Sequence, residues 1–162
     1  MSKFYDFQIR SIDGSSRSLA ELRGKAVLIV NVASQCGLTP QYTALEELQK
    51  KYAERGFTVL GVPCNQFAGQ EPEGEAEIQR FCSTTYGITF PLTSKVDVNG
   101  ENRDPLYVWL TEAETEPEGP GDIKWNFAKF VIGRDGSIVG RYSPMVAPDD
   151  SALVDAIERA LA

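Results

Sequence analysis

The sequence predicts an α/β fold in which helices cover both faces of a mixed central sheet. The first observation is an almost continuous apolar run at residues 26–33, which is typical of a strand buried on both faces. The second is a similar run at residues 57–62, separated from the first by apolar residues at helical spacing. A strand, a helix and a strand in this order predict two parallel strands joined by a right-handed crossover.

The other elements follow from shorter patterns of the same kinds. A weakly alternating segment on each side of the Asp13-Gly14 turn signal predicts an N-terminal β-hairpin. The last segment places Leu153, Ala156 and Ile157 on one helical stripe, with acidic residues at its start. The predicted elements are strands at 4–10, 16–19, 26–33 and 57–62, helices at 40–56, 75–86 and 105–112, a short strand within 90–98, strands at 129–132 and 137–142, and a last helix from about 149. This order fits a thioredoxin-like topology.

Cys36 lies in the polar loop that follows the first central strand. We expect Thr39 to cap the next helix and Pro40 to occupy its first position, which places the cysteine just before a helix N-terminus. Open α/β sheets bind ligands at the carboxyl ends of their strands, and a helix N-terminus stabilises a thiolate. We therefore expect Cys36 to be a reactive thiol with a lowered pKa. The alternative is a buried structural cysteine.

The length and the net charge of the chain limit the classes of function that we expect. The chain has 162 residues, enough for a substantial core, and we expect a single domain over residues 1–162. The net charge is −7, no basic cluster stands out, and no apolar run could span a membrane, so nucleic acid and membranes are not expected partners. Residues 1–7 lack the apolar core of a signal peptide, so we expect a cytoplasmic protein with reduced cysteines.

The chain contains no histidine and 3 cysteines. The absence of histidine excludes a Cys–His nucleophile and removes the commonest general base and metal ligand. Three cysteines are too few for a disulfide framework, and a zinc site would need all of them plus a carboxylate. We expect no metal and no cofactor, so that thiol chemistry depends on dipoles and hydrogen bonds.

The second central strand also ends in a polar loop, at residues 63–72. We expect this loop at the same edge of the sheet as Cys36. It is rich in amide side chains, which donate N–H groups without carrying charge. For Asn65 and Gln66, a role in the site and a purely structural role in the turn stay open.

Cys82 lies in the helix predicted at 75–86, on the same face as Ile78 and Phe81 and before the stop signal Gly87. This position favours a small core residue. A disulfide requires Cα atoms within ~7 Å, so a bond to Cys36 would require this helix to move or unwind.

Three segments resemble, in their order along the chain, the signature motifs of the glutathione peroxidase family. They are Asn-Val-Ala-Ser-Gln-Cys-Gly-Leu-Thr at residues 31–39, Leu-Gly-Val-Pro-Cys-Asn-Gln-Phe at residues 60–67 with Gln-Glu-Pro at residues 70–72, and Lys-Trp-Asn-Phe at residues 124–127. The resemblance extends over nearly the whole chain. It implies a thioredoxin fold with an N-terminal hairpin and a helix–strand insertion.

The resemblance also implies the roles of four residues. Cys36 takes the place of the family's peroxidatic cysteine, and Gln70, Trp125 and Asn126 take the places of its partners. In this chemistry the thiolate attacks the O–O bond and becomes a sulfenic acid. The amides and the indole N–H donate hydrogen bonds to the sulfur and to the leaving oxygen. For Trp125 alone, core packing is the structural alternative.

The positions of the cysteines indicate which reductant the protein uses. The peroxidatic position holds cysteine and not selenocysteine, as in the non-animal members that this sequence resembles. In those members a cysteine at the position of Cys82 is the resolving residue and thioredoxin is the reductant, whereas the position of Cys64 usually does not resolve. The segment at 104–124 is short compared with that of the tetrameric members, so we expect a monomer, or at most a weak dimer.

We therefore expect a cytoplasmic, antioxidant peroxidase that reduces hydrogen peroxide and organic hydroperoxides. Its cycle would pass through a Cys36–Cys82 disulfide that thioredoxin reduces. Three alternatives stay open: a peroxidase that uses glutathione, a peroxide sensor that passes its disulfide to a partner protein, and a thioredoxin-fold binding module with inert cysteines.

Overall fold

The computed structural model describes residues 3–162 and contains two sheets and four α-helices within that range. Most predicted elements are present, several with shifted ends. In chain order they are β1 (Gln8–Arg10), β2 (Ser16–Ser18), β3 (Ala26–Val32), α1 (Gln41–Tyr52), β4 (Phe57–Pro63), α2 (Glu75–Tyr86), α3 (Pro105–Glu112), β5 (Lys129–Ile132), β6 (Ile138–Tyr142) and α4 (Ser151–Leu161).

The main sheet has the strand order β4-β3-β5-β6. β3 pairs in parallel with β4 and antiparallel with β5, and β6 pairs antiparallel with β5. This confirms the mixed sheet, and β1 and β2 form the predicted N-terminal hairpin. Val30 of β3 is opposite both Gly61 of β4 and Lys129 of β5, so the ends of β3 and β4 meet the start of β5. We call this side of the sheet the carboxyl edge, formed by loops 33–40, 64–74, 123–128 and 143–150.

Both faces of the sheet are covered, as predicted. Every residue of β3 is buried, with alternate side chains in two separate cores. Leu28 and Val30 pack in the core that holds the buried faces of α1, α2 and α4. Val27 and Ile29 pack in the core formed with α3 and the N-terminal segment. The continuous apolar run predicted this two-sided burial.

The N-terminal strand is shorter than predicted. Lys3–Asp6 form a 3-10 helix, and β1 begins only at Gln8. Phe4 and Tyr5 are adjacent, yet only 0% and 6% exposed. Successive side chains of a strand point to opposite faces, so a strand at this surface could not bury both rings in one core.

The strand predicted within residues 90–98 is wrong. Leu92 and Thr93 form only isolated bridges, to Gly61 and Ser11. Pro91 has no N–H to donate, which prevents a continuous ladder at this point. A Cβ atom at Gly61 would lie 2.6 Å from Cδ2 of Leu92, so the glycine permits the close approach of this segment to β4.

Two features of the described range, residues 3–162, bear on location and metal binding. No helix there has both the length and the apolar character needed to cross a bilayer. The same range has no grouping of His, Cys, Asp or Glu side chains that could hold a metal ion. Met1 and Ser2, on which part of the signal-peptide prediction depends, lie outside the described residues.

Candidate active site

Cys36 lies at the carboxyl edge, in the loop between β3 and α1. Its side chain is buried, with only 7% of the residue exposed, and its thiol is free. Two N–H groups point at Sγ: the indole Nε1 of Trp125 at 3.2 Å and the backbone N of Leu38 at 3.3 Å. Hydrogen bonds from N–H donors stabilise a negatively charged sulfur more than a neutral one.

Thr39 braces this loop and does not cap α1. Its Oγ1 accepts a hydrogen bond from the backbone N–H of Cys36 at 2.9 Å and donates to the carbonyl of Ala33 at 2.8 Å. α1 begins at Gln41, and the N-cap position is held by Pro40, which makes no side-chain cap. The predicted cap was therefore wrong, because the threonine hydroxyl is already occupied by the turn that contains Cys36. A tight turn separates the cysteine from the helix.

Gln70 and Asn126 contact each other at the same edge. Nδ2 of Asn126 donates to Oε1 of Gln70 at 3.0 Å. The backbone carbonyl of Gln70 accepts from the N–H of Gln35 at 3.0 Å, which attaches the 64–74 loop to the Cys36 loop. Asn126 is fully buried, and its Oδ1 has no hydrogen-bonding partner within residues 3–162. The structure thus links all four predicted site residues, although the described side-chain hydrogen bond to the sulfur comes from Trp125 and not from either amide.

Asn65 and Gln66 hold the loop that carries Gln70. Oδ1 of Asn65 accepts from the N–H of Glu71 at 2.9 Å. Oε1 of Gln66 accepts from the N–H groups of Val98 and Asn99 at 2.7 and 3.0 Å, and its Nε2 donates to the Asn99 carbonyl at 2.8 Å. Of the two roles left open by the sequence, these contacts favour the structural one.

The two other cysteines are also free and buried. Cys82 lies on α2 in the same core as Cys36, next to Tyr42. Burial raises the pKa of the Cys82 thiol to about 11, so at neutral pH it is protonated in this state. Burial also raises the pKa of Cys64, whose Sγ donates to Oε1 of Gln66 at 3.5 Å. The prediction that Cys82 is a small core residue is therefore confirmed in the reduced structure.

Three further polar residues near the site are fully buried and were not predicted as site residues: Asn31, Glu71 and Lys129. A signal for two of them was present, because Asn31 interrupts an apolar run and Lys129 opens an otherwise apolar strand. Glu71 follows Gln70, and neither carboxylate oxygen forms a hydrogen bond within residues 3–162. Burial raises its pKa, and Ser34, which faces the carboxyl group, acts in the opposite direction.

Sequence comparison identifies the family. Residues 4–111 match the family described as glutathione peroxidase. The chain belongs to the glutathione peroxidase family. This confirms the family predicted from the three motifs, and with it the predicted enzyme class, a peroxidase.

Curated relatives within the glutathione peroxidase family are similar over most of their length. The "Hydroperoxy fatty acid reductase gpx1" of Synechocystis is 51% identical over 153 residues, covering 91% of this chain and 90% of the relative. The "Thioredoxin/glutathione peroxidase BtuE" of Escherichia coli is 47% identical over 173 residues, covering 95% and 94%. The non-animal character predicted for this chain agrees with these relatives.

Solved structures confirm the fold. The crystal structure of Trgpx in apo form aligns with a TM-score of 0.79 at 37% identity, covering 98% of this chain and 94% of the other. A thiol:disulfide interchange protein of the thioredoxin family from Chlorobium tepidum aligns with a TM-score of 0.66 at 25% identity, covering 96% and 93%. The thioredoxin-like fold predicted from the order of elements is therefore correct.

Proposed function

We propose that this glutathione peroxidase family member reduces hydrogen peroxide and organic hydroperoxides through Cys36, forms a Cys36–Cys82 disulfide, and is re-reduced by thioredoxin. The observation that carries the proposal is the pair of N–H donors, from Trp125 and Leu38, aimed at the Cys36 sulfur. They support a thiolate without a histidine base or a fixed ion pair. Cytoplasmic location and a monomeric state form part of the proposal.

In the first step the Cys36 thiolate attacks one oxygen of the peroxide. The S–O bond forms as the O–O bond breaks, and an alkoxide or hydroxide leaves and takes up a proton. Cys36 becomes a sulfenic acid, which is the reversible level of cysteine oxidation. The Gln70 and Asn126 amides and the Trp125 indole are the donors assigned to the developing negative charge, since preorganised neutral donors stabilise it strongly in a site with little water.

In the second step the Cys82 sulfur attacks Sγ of the Cys36 sulfenic acid. The S–S bond forms, the S–O bond breaks, and hydroxide leaves as water after taking up the thiol proton. Cys82 is 1% exposed on α2, so this helix must open first.

Several features make opening of α2 inexpensive. Ile78 and Cys82 are its only buried residues within the described helix, and Gly74 and Gly87 flank it, the latter in a left-handed conformation. An open cavity of about 250 Å³ borders the helix on the side of Cys82. Segments with few buried apolar contacts open at a small fraction of the global free energy of unfolding. An opened α2 would also expose the disulfide to a protein reductant.

The reductant assignment depends on Cys82 and on the relatives. Curated relatives include proteins named as a thioredoxin/glutathione peroxidase from Escherichia coli and as a glutathione peroxidase-like peroxiredoxin from Schizosaccharomyces pombe. An internal disulfide is a natural substrate for the dithiol exchange that thioredoxin performs. Glutathione is the second candidate reductant, because the Escherichia coli name includes it. A sensor role would use the same disulfide but pass it to one partner protein.

A coupled assay separates these functions. NADPH oxidation is followed with thioredoxin and thioredoxin reductase, and in parallel with glutathione and glutathione reductase, using hydrogen peroxide and an organic hydroperoxide. We expect turnover with thioredoxin, none for Cys36→Ser, and a single equivalent of peroxide consumed by Cys82→Ser. Cys64→Ser is the matched control and should turn over. Full turnover of Cys36→Ser would refute the peroxide step, and thioredoxin turnover of Cys82→Ser would refute the resolving step.

A further inference from the structure

The segment that carries Trp125 and Asn126 has an unusual backbone. It precedes β5 and belongs to no strand. Phe127 has a φ of 71°, in the left-handed region that non-glycine residues rarely occupy. Such a conformation persists only where surrounding contacts determine it. The position of both donor side chains therefore depends on what holds residues 125–128.

Asn31 of β3 makes three of these contacts. Its Nδ2 donates to the carbonyl of Trp125 at 3.1 Å, and its Oδ1 accepts from the N–H of Ala128 at 3.1 Å. Its backbone carbonyl accepts from the N–H of Phe127 at 2.6 Å. Asn31 is fully buried, so no water competes for these bonds. Asn31 lies on β3, the strand that leads into the Cys36 loop. Its side chain therefore connects this strand to the segment that carries the donor side chains.

Lys129 supplies the contact on the other side. Its Nζ donates to the carbonyl of Phe127 at 2.6 Å and to that of Pro144 at 3.3 Å. The lysine is fully buried, and burial lowers its pKa to about 7. A lysine in such a place is costly, and its amine is used to satisfy backbone carbonyls at the strained residue. Gln41 Nε2 also donates to the Pro144 carbonyl, at 3.0 Å, so that group keeps a partner without the lysine.

We propose that Asn31 and Lys129 are positioning residues that fix the Trp125 indole and the Asn126 amide against Cys36, and thereby set the rate of the peroxide step. Between them they bind the Trp125 carbonyl, both polar backbone groups of Phe127 and the Ala128 N–H. Neither side chain touches the sulfur in a described contact. Their effect is therefore on donor geometry, and the inference rests on the proposed function, since it assumes that Cys36 reacts with peroxide.

Asn31→Ala and Lys129→Met test the proposal. Asn31→Ala removes the two side-chain contacts and keeps the backbone bond to Phe127, whereas Lys129→Met removes the Nζ contacts and keeps most of the lysine stem. A misplaced catalytic group typically costs on the order of 10- to 100-fold, so we expect the second-order rate constant for oxidation of Cys36 to fall by that factor. The rate is measured in single turnover with one equivalent of hydrogen peroxide, by loss of the Cys36 thiol.

Two controls separate positioning from loss of stability. Val27→Ala weakens the same strand through lost packing, and Gln41→Ala removes the other donor to Pro144; both should oxidise at the wild-type rate. In a Trp109→Phe background, Trp125 is the only remaining indole, and its fluorescence emission should shift in Asn31→Ala and Lys129→Met but not in the controls. Urea unfolding gives the stability of each variant. If Asn31→Ala fails to fold, Lys129→Met still decides the question.

The outcomes are distinguishable. Slower oxidation with shifted Trp125 emission, beyond what Val27→Ala shows at matched stability, supports the positioning role. Wild-type rates in Lys129→Met and in any folded Asn31 variant would overturn it while leaving the proposed function intact. A wild-type Cys36 that does not react with peroxide would overturn both.

Discussion

The indole N–H of Trp125 donates a hydrogen bond to Sγ of Cys36 across 3.2 Å, although 89 positions separate the two residues. β3 and β5 are neighbours in the sheet, and the loop after one meets the loop before the other. The sulfur thus receives one N–H from the Trp125 indole and one from Leu38 in its own turn. In a chain without histidine, hydrogen bonds of this kind are the groups available to stabilise the thiolate that the proposed function requires.

Replacing Trp125 with phenylalanine tests this relationship most directly. Phenylalanine keeps an aromatic ring against Phe67 but removes the N–H donor. Loss of one such donor typically lowers a rate by ~10²–10³, and we expect this reduction in the rate of Cys36 oxidation. Stopped-flow oxidation with one equivalent of peroxide measures it. An unchanged rate in a folded Trp125→Phe protein would show that the indole serves packing alone.

Gln70→Ala tests the amide pair. The substitution removes the acceptor of the Asn126 amide and leaves a fully buried NH₂ group unpaired, which costs about 1–3 kcal/mol of stability. We expect slower oxidation of Cys36 in addition, because the Gln70 amide is removed and the Asn126 amide loses the partner that orients it. Gln66→Ala is the matched control, since it loses hydrogen bonds of the same loop to Val98 and Asn99. Equal oxidation rates in the two variants would make Gln70 structural.

The sequence could predict the parts of the site that depend on element order. Once the runs at 26–33 and 57–62 were recognised as parallel strands, the loops bearing Cys36 and Gln70 had to share an edge. The family motifs then added Trp125 and Asn126. The distances could not be predicted, because they depend on a loop whose conformation no local pattern specifies, as the φ of 71° at Phe127 shows.

The errors have a common origin in tertiary contacts. Thr39 has the chemistry of an N-cap, but its hydroxyl binds the Cys36 turn instead. Phe4 and Tyr5 fit a strand by alternation, but both are needed in the core. Asn31 and Lys129 stand out as polar residues of apolar strands, but the strand pattern does not indicate which groups they bind. Their role becomes visible only when the segment at 125–128 is placed beside them.

Glu71 gives a pH-dependent prediction. Burial raises the pKa of its carboxyl group above the ordinary 4.5, with Ser34 and Lys95 opposing this and Glu73 adding to it. Because the pKa of Glu71 is higher in the folded state, its contribution to the free energy of unfolding is complete below pH 4.5. This contribution is lost as the pH rises through the pKa of the folded state. We therefore expect Glu71→Gln, which cannot ionise, to lose less stability than the wild type as the pH rises from 4.5. Urea unfolding of the reduced proteins across this range measures the difference, and parallel pH profiles would contradict the prediction.

Cys82 gives the last prediction, on the opening of α2. Its pKa is about 11 when the helix is folded, against an ordinary value of 9.0, and burial is the main cause. Because the folded value is the higher one, docking of the helix is most stable below pH 9.0 and weakens as the pH rises toward about 11. Between pH 9.0 and about 11, the free energy of docking falls by on the order of 3 kcal/mol, at about 1.4 kcal/mol per pH unit.

Opening of α2 and ionisation of Cys82 are coupled on the route to the disulfide. When opening is rapid, the opened population grows above pH 9.0 as docking weakens, so the rate of disulfide formation should rise about tenfold per pH unit through pH 9.0 and level off only toward about pH 11. Attack from the folded helix would give the same rise, so the packing of α2, and not the pH profile, distinguishes the two routes. The rate is measured by quenched alkylation and peptide mapping after one equivalent of peroxide. Ile78→Ala removes a main anchor of α2 and should speed disulfide formation, whereas Leu153→Ala, in the same core but on α4, should not. A bridge between Cys36 and Cys64 would refute Cys82 as the resolving residue, and an unchanged rate in a folded Ile78→Ala protein would refute opening of α2 as the route by which Cys82 reaches the sulfenic acid.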